Sequence, residues 1–74
     1  MKEKNEQLLS LGRRIQAYRE RAGLSQEKLA ERANVHRTYI GTVERGETNL
    51  TVLNLLKIAA ALNVNVNKLL CQEE

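Results

Sequence analysis

The fold is decided by the stretch LSQEKLAERANVHRTYIGTVERG, which occupies positions 24–46. Two short runs of helical apolar spacing, 26–33 and 37–45, are separated only by Asn34-Val35-His36. Asn34 tolerates the left-handed backbone that a sharp turn between helices needs, and Gly46 ends the second run for the same reason. The stretch therefore predicts two helices joined by a three-residue turn, a helix-turn-helix unit over about 25–45.

A repeated start signal places the other helices. An apolar residue, a polar cap residue and a second apolar residue five positions after the first form the hydrophobic staple. It occurs four times, with Ser25, His36, Thr51 and Asn65 in the cap position; His36 is a poor cap by the usual preferences. Ahead of these starts a helical stripe is formed by Leu8, Leu11, Ile15 and Tyr18, and Gly23 ends it. The predicted fold class is all-α and compact, with five helices over 7–22, 26–33, 37–45, 52–62 and 66–71.

Length and charge limit the architecture and the partner. Seventy-four residues allow one domain with one small core, taken as 1–74, with the polar ends 1–6 and 72–74 expected to be frayed. The net charge is +3, and residues 7–72 carry ten Lys and Arg against five Glu, a balance of +5. That balance suits an anionic partner, although many other proteins carry as much.

Several function classes find no support in the composition. The single cysteine, Cys71, excludes an internal disulfide and a cysteine-only metal site, and the single His36 has no neighbouring ligands, so no metal and no cofactor are expected. The chain has no Asp, no phosphate-binding glycine loop and no nucleophile–base pair, so we do not expect an enzyme. No apolar run reaches membrane-spanning length and 1–7 lead into no signal-type segment, so we expect a soluble cytoplasmic protein with no membrane partner.

The third helix has two contrasting faces when its residues are placed at 100° intervals. One side gathers Val35, Tyr39, Ile40 and Val43. The other gathers Arg37, Thr38, Gly41, Thr42, Glu44 and Arg45. A polar face of this kind suits the major groove of DNA, where the Arg37 fork can bond two acceptors on guanine. The predicted base contacts are Arg37, Thr38, Thr42 and His36, the last of which either caps the helix or contacts DNA. Close approach to DNA would explain the helix glycine Gly41, and an ordinary solvated face is the alternative.

Phosphate contacts are predicted around this helix. Ser25 and Gln26 open the second helix, where backbone N–H groups and the helix dipole attract phosphate. Tyr39 lies at the edge of the core side, so its hydroxyl can reach a phosphate; a purely structural tyrosine is the alternative. The set is completed by three residues at or after the end of the third helix: Arg45, Thr48 and Asn49. For each of these three, the alternative is an ordinary solvated position on the surface.

Two further interactions concern assembly. Arg19 on the first helix and Glu44 near the end of the third are the expected structural ion pair, which would hold the third helix at its angle. Residues 50–66 contain one charge, Lys57, among many aliphatics. The apolar stripe of one helix uses about half of these aliphatic residues. The others therefore predict an exposed apolar patch that self-association would cover. The alternative is that all of these aliphatic residues belong to the core. The expected dimer interface consists of Val52, Leu55, Leu56, Val64 and Val66.

Three motifs carry a resemblance to a known family: Leu24-Ser25-Gln26-Glu27-Lys28-Leu29-Ala30, Ile40-x-x-x-Glu44-Arg45-Gly46, and Leu55-x-x-Ile58-Ala59-x-x-Leu62-Asn63-Val64. Over about 8–70 the chain resembles the lambda-repressor/Cro-type family, often called XRE-like. The resemblance implies a five-helix DNA-binding domain and an Arg19–Glu44 pair.

Within that family the chain looks most like the controller proteins of restriction-modification systems, which are small dimers that regulate their own operon and the restriction gene. This second resemblance rests on Arg37-Thr38-Tyr39-Ile40, Glu44-Arg45 and Asn49-Leu50-Thr51. It implies base contacts from Arg37 and Thr38, and phosphate contacts from Gln26, Tyr39 and Asn49. Controllers often carry a basic residue where this chain has Thr48, so a DNA contact there is in doubt.

The expected function is therefore sequence-specific regulation of transcription by a homodimer on a palindromic operator in double-stranded DNA, as in a restriction-modification controller. The alternatives are a phage- or plasmid-type repressor and an antitoxin-like protein-interaction module. RNA polymerase is a hypothetical additional partner, with Glu27, Glu31 or Glu47 as the contact.

Overall fold

Five helices make up the part of the chain that the computed structural model describes, residues 5–70. They are α1 (Glu6–Arg21), α2 (Gln26–Ala33), α3 (Arg37–Glu44), α4 (Val52–Leu62) and α5 (Val66–Leu70). The all-α class and the five-helix order are confirmed. Cys71 and most of the ends expected to be frayed, 1–4 and 72–74, lie outside the described residues.

The helix starts agree with the staple pattern. Ser25 and Thr51 each accept the backbone N–H three residues further on at 3.0 Å, and Asn65 accepts the one two residues on at 2.9 Å. His36 is also a cap, because its Nδ1 accepts the backbone N–H two residues on at 3.0 Å. The ring therefore satisfies a donor that would otherwise be unpaired at the start of α3.

The first helix begins one residue earlier than expected. The side chain of Asn5 accepts the backbone N–H groups of Gln7 and Leu8 at 2.8 and 3.1 Å. Asn5 and Glu6, which the sequence assigned to a frayed end, thus form the cap and the first residue of α1. The polar composition of 1–6 hid a local capping signal.

Left-handed residues end the helices where the chain must turn sharply. Asn34 has φ 60° between α2 and α3, and Gly46 has φ 73° after α3, as predicted. Asn63, with φ 59°, ends α4 in the same way. Since α3 stops at Glu44 with Arg45 as its C-cap, α2, the turn that begins at Asn34 and α3 together form a compact helix-turn-helix unit.

The core lies between α2, α3 and α4, with α1 and α5 closing it. Its fully buried large side chains are Ile15, Leu29, Ile40, Ile58 and Leu69. Burial of each such side chain contributes about 1.5–3 kcal/mol. Leu55 is also in this core, with 8% of its surface exposed. The assignment of Leu55 to a dimer interface is therefore corrected, because the inward stripe of α4 includes it.

A close backbone contact fixes α3 against α1. A Cβ added at Gly12 of α1 would lie 2.5 Å from the carbonyl oxygen of Val43 and 2.6 Å from that of Glu44. At Gly46 it would lie 2.8 Å from Cδ2 and 2.9 Å from Cα of Leu9. Only glycine fits at these two positions, so the two backbones touch and the angle of α3 is determined there.

Candidate nucleic-acid interface

The first turn of α3 presents polar side chains to solvent. His36, Arg37 and Thr38 are all exposed, and the His36 cap orders the backbone from which the other two project. Between this turn and the start of α2 runs a groove, which we call the α2–α3 groove. It is lined by Arg19, Ser25, Gln26, Glu27, Arg37, Thr38, Gly41 and Arg45. The structure thus brings together two predicted base contacts and three predicted phosphate contacts.

A buried ion pair supports the groove from behind. Nε of Arg19 donates to Oε2 of Glu44 at 2.6 Å, and Nη2 of Arg19 donates to Oε1 at 3.1 Å. Nη1 of Arg19 also donates to the carbonyl oxygen of Leu24 at 2.8 Å. The pair therefore ties α1 to the end of α3 and to the loop before α2, in the geometry that arginine and carboxylate favour.

The pair also sets the charge state of Arg19. The hydrogen bond to Glu44 raises the pKa of Arg19 above its usual value, against the opposing effect of burial. Because the pKa is higher in the folded state, Arg19 stabilises the fold fully at every pH below its unfolded-state pKa. This stabilisation is lost only as the pH rises through the folded-state pKa. Arg19 therefore stays a cation throughout the range in which proteins function.

Two residues that the helical wheel placed outward are covered. Glu44 is buried because α1 and α2 both meet the edge of α3 that carries it: Gln26 of α2 donates from Nε2 to its Oε1 at 2.9 Å. Gly41 is buried because the side chains of Gln26 and Arg45 lie over it. The outward face is therefore narrower than predicted and is concentrated at the N-terminal end of α3.

Gln26 has a structural bond that the sequence did not reveal. Its Nε2 is bonded to Glu44, so the amide links α2 to α3 while the backbone at Gln26 opens α2. The amide nitrogen carries two hydrogens, and one remains for another acceptor. The only sequence signal for this bond was the ion pair itself, since a buried carboxylate needs several donors.

Tyr39 has an unpredicted partner. Its ring packs against the core, and its hydroxyl accepts from Nδ2 of Asn54 on α4 at 3.1 Å. Because the hydroxyl oxygen is the acceptor in that bond, its hydrogen can donate elsewhere. Asn54 therefore orients the tyrosine hydroxyl, and a contact over 15 residues leaves no local signal in the sequence.

The remaining predicted DNA contacts lie in the second half of α3 and in the loop that follows it. Thr42 is half-buried and donates its hydroxyl to the carbonyl oxygen of Tyr39 at 2.8 Å, so only its methyl group and oxygen lone pairs face outward. Arg45 is exposed, with its Nε 3.1 Å from Oε1 of Glu47. Thr48 is half-buried and Asn49 is exposed in the loop before α4.

Exposed apolar side chains lie on α4 and at the end of α5. Val52 is 74% exposed and Leu53 63%, and Leu56 and Leu70 are exposed as well; we call these four the α4–α5 patch. Val64 and Val66 are half-buried against the core. Of the five residues expected at a dimer interface, Val52 and Leu56 thus present free apolar surface. Leu53 was missed because the sequence alone does not show which face of α4 is inward, and Leu70 because it does not show how the end of α5 packs.

Within residues 5–70, no helix combines the length and apolarity that crossing a membrane requires. Over the same range, no three His, Cys, Asp or Glu side chains come together in a way that could hold a metal ion.

Known proteins share this sequence and geometry. A family model described as helix-turn-helix matches residues 15–69. The control protein C.SmaI of Serratia marcescens is 49% identical over 63 residues, which are 85% of this chain and 75% of that protein. The crystal structure of the restriction-modification controller protein C.AhdI from Aeromonas hydrophila matches with a TM-score of 0.87 at 40% identity, over 88% of this chain and 98% of that one.

A second similar structure was determined with DNA bound. SinR, the master regulator for biofilm formation, was crystallised in complex with DNA; it matches with a TM-score of 0.78 at 40% identity, over 82% of this chain and 98% of that one. These relatives are regulators rather than enzymes. The chain thus belongs to the helix-turn-helix family of the lambda-repressor/Cro (XRE) type, and within it resembles the controller proteins of restriction-modification systems.

Proposed function

We propose that this protein is a sequence-specific DNA-binding regulator of transcription that inserts α3 into the major groove. The observation that carries the proposal is the exposed first turn of α3, with Arg37 and Thr38, beside the N-terminus of α2 in one groove. A recognition helix contacts base edges chiefly through its N-terminal residues. The match to SinR, which was crystallised in complex with DNA, supports DNA as the partner.

Base reading is assigned to the exposed end of α3. The Arg37 guanidinium can donate to O6 and N7 of guanine together. Thr38 offers a hydroxyl and a methyl, whereas Thr42 offers a methyl and an acceptor oxygen, because its hydroxyl hydrogen is used within α3. His36 accepts at Nδ1, so a neutral ring carries its proton on Nε2 as a donor toward DNA.

Phosphate binding is assigned to both sides of that helix. On one side are the N-terminus of α2, opened by Ser25 and Gln26, and the Arg45 side chain, which share the α2–α3 groove. On the other is Tyr39, whose hydroxyl Asn54 orients. Thr48 and Asn49 extend the contact along the loop. Such contacts fix the position of α3 on the duplex without reading its sequence.

We further propose that the regulator is a homodimer joined through the α4–α5 patch. A second copy is the partner that fits, because the patch is apolar and the protomer measures only 32 × 30 × 21 Å. Two such bodies related by a two-fold axis can place their α3 helices about one DNA turn apart, roughly 34 Å. A palindromic operator follows from that symmetry. Val64 and Val66, which are half-buried against the core, would complete the interface.

Selection of binding sites from random duplexes, followed by titration of the selected duplex, tests the DNA-binding proposal. We expect Arg37→Ala to weaken binding by about 1–3 kcal/mol and to relax discrimination at one base pair in each half-site. Arg13→Ala is the matched control, since Arg13 is exposed beside Lys68 and outside the α2–α3 groove. Equal losses for the two variants, or none for Arg37→Ala, would remove α3 from the role of reader.

The dimer has its own test, sedimentation of the free protein. Leu53→Glu is expected to give a monomer at concentrations where the unmodified protein is a dimer, with the helical circular dichroism signal unchanged because Leu53 lies outside the core. Arg32→Gln changes the net charge by the same amount at an exposed site of α2 and should leave the dimer intact. A dimer that survives Leu53→Glu together with Val52→Glu would place the interface elsewhere.

Regulation of a restriction gene is the most specific part of the proposal, supported by the similarity to C.SmaI and C.AhdI. Genes for a methyltransferase and an endonuclease beside this one would favour a controller over a phage- or plasmid-type repressor. If the protein instead were an antitoxin-like interaction module, pull-down would yield a stable heteromeric complex and the duplex selection would find no sequence.

Contact with RNA polymerase is a separate hypothesis. Of its three candidates, Glu31 is paired with Lys28 and Glu47 with Arg45, while Glu27 borders the α2–α3 groove. Charge reversal at Glu27 or Glu31 that spares DNA binding and abolishes activation in transcription assays would support it. Unchanged activation in both variants would oppose it.

A further inference from the structure

Gly41 lies in the middle of α3 with two polar side chains over its α-carbon. A Cβ at this position would be 3.3 Å from Nη1 of Arg45 and 3.6 Å from Oε1 of Gln26. Glycine is unfavourable inside a helix, so its presence needs a reason. The covered surface shows that the reason includes room for these side chains within the protein, in addition to any approach of DNA.

The Arg45 side chain reaches Gly41 by folding back along α3. Arg45 is the C-cap residue of that helix, and its guanidinium lies one helical turn nearer the N-terminus, over Gly41. Its Nε is 3.1 Å from Oε1 of Glu47. The carboxylate thus engages Nε, on the inner part of the guanidinium, and directs the terminal nitrogens toward the α2–α3 groove.

Glu47 places a negative charge next to one of the cations that line the α2–α3 groove. A carboxylate beside a DNA-binding groove repels phosphate and lowers affinity. The lining of the groove is mostly cationic, with Arg19, Arg37 and Arg45 against the carboxylate of Glu27, and the positive end of α2 opens into it. The loss of DNA affinity that this carboxylate causes would be offset if the carboxylate fixed the position of one of those cations.

We propose that Glu47 is a positioning residue, which holds Arg45 folded across Gly41 so that its terminal nitrogens meet a DNA phosphate at the N-terminus of α2. The proposal rests on the DNA-binding function proposed above. Arg45 touches the phosphate, Glu47 acts through Arg45, and Gly41 provides the space. Because the Arg45–Glu47 pair is more than half exposed, its contribution is limited to the size of a surface pair.

The first experiment titrates the selected duplex with Glu47→Gln at several salt concentrations. We expect Glu47→Gln to bind about two- to fivefold more weakly, although it removes a negative charge. The control Glu31→Gln removes a carboxylate that pairs with Lys28 on the exposed face of α2, and should bind equally or more tightly. Tighter binding by Glu47→Gln would overturn the proposal, since that is what simple repulsion predicts.

A double-mutant cycle then asks whether Glu47 acts through Arg45. Arg45→Gln should weaken binding and lower the salt dependence by about one counterion for each protomer. In that background Glu47→Gln should cause no further loss. A loss of the same size in both backgrounds would overturn the proposal. If the unmodified protein selected no duplex at all, the DNA-binding function itself would fail, which is a different result.

Gly41→Ala separates stability from binding. The substitution should raise the melting temperature by about 3–6 °C, because alanine favours the helix, while Arg45 shifts by a few tenths of an ångström to admit the Cβ. We expect weaker binding to the selected duplex when Arg45 is present and no loss with Arg45→Gln. Equal losses in both backgrounds would mean that Gly41 serves the approach of DNA instead.

Discussion

The helix α3 has two sides that differ in how much change they tolerate. On the side facing α1, the backbone of Gly12 touches the carbonyl groups of Val43 and Glu44, and a buried ion pair joins the two helices. On the side facing solvent, Arg37 and Thr38 are exposed and Gly41 is covered only by flexible side-chain ends. The anchored side fixes the angle at which the other side meets a partner, so reading and anchoring are divided within a single helix.

The largest effect is expected from breaking the buried ion pair. Glu44→Ala leaves Arg19 as a buried cation without its carboxylate, which should lower the free energy of unfolding by about 3–5 kcal/mol. Denaturant unfolding measures this. Glu20→Ala is the control, because Glu20 is an exposed carboxylate also within 4 Å of Arg19, and its effect should stay within about 0.5 kcal/mol. Similar values for the two variants would show that the anchored side is no more sensitive than the surface.

A pair of alanine substitutions tests the same contrast at glycine. Gly12→Ala places a Cβ against backbone atoms that cannot move aside, so we expect a loss of about 2–3 kcal/mol in the free energy of unfolding. Gly41→Ala meets only side-chain ends, those of Arg45 at 3.3 Å and Gln26 at 3.6 Å, and should instead gain about 0.5–1 kcal/mol. Both substitutions add one methyl group to an α-helix. Changes of opposite sign in the free energy of unfolding would therefore come from the packing around each glycine. A gain in the free energy of unfolding for both Gly12→Ala and Gly41→Ala would mean that α1 and α3 are further apart than described.

The smallest effect concerns the His36 cap. His36→Ala removes the acceptor for the Thr38 backbone N–H and should cost about 0.5–1 kcal/mol of stability, whereas His36→Asn should restore the cap. Thermal unfolding distinguishes the two. If His36 also donates to DNA, both variants should weaken binding although only one weakens the fold. Full binding by His36→Asn would restrict His36 to its structural role.

Local signals made most of the fold predictable. The caps at Ser25, Thr51 and Asn65 and the left-handed Asn34 depend on residues a few positions apart, so the helix-turn-helix unit could be read directly. Asn5 was missed because its capping bonds lie in a segment whose composition indicated a frayed end.

Longer-range features could not be read in this way. Leu55 and Leu53 lie on different faces of α4, and only the packing of that helix shows which face is buried. Glu44 falls on the outward side of the helical wheel, yet α1 and α2 close over it. The Tyr39–Asn54 bond likewise depends on where α4 comes to rest beside α3. The sequence thus predicted the Arg19–Glu44 pair and the exposed positions at the start of α3, and it did not predict the Gln26–Glu44 and Tyr39–Asn54 bonds.

The most direct test of the division within α3 is a titration of the isotopically labelled protein with the selected duplex, followed by amide resonances. The largest shifts are predicted at Arg37, Thr38 and the first turn of α2, with little change at Val43 and on the α4–α5 patch. Large shifts confined to that patch, with the first turn of α3 unaffected, would contradict the assignment of α3 as the reading helix.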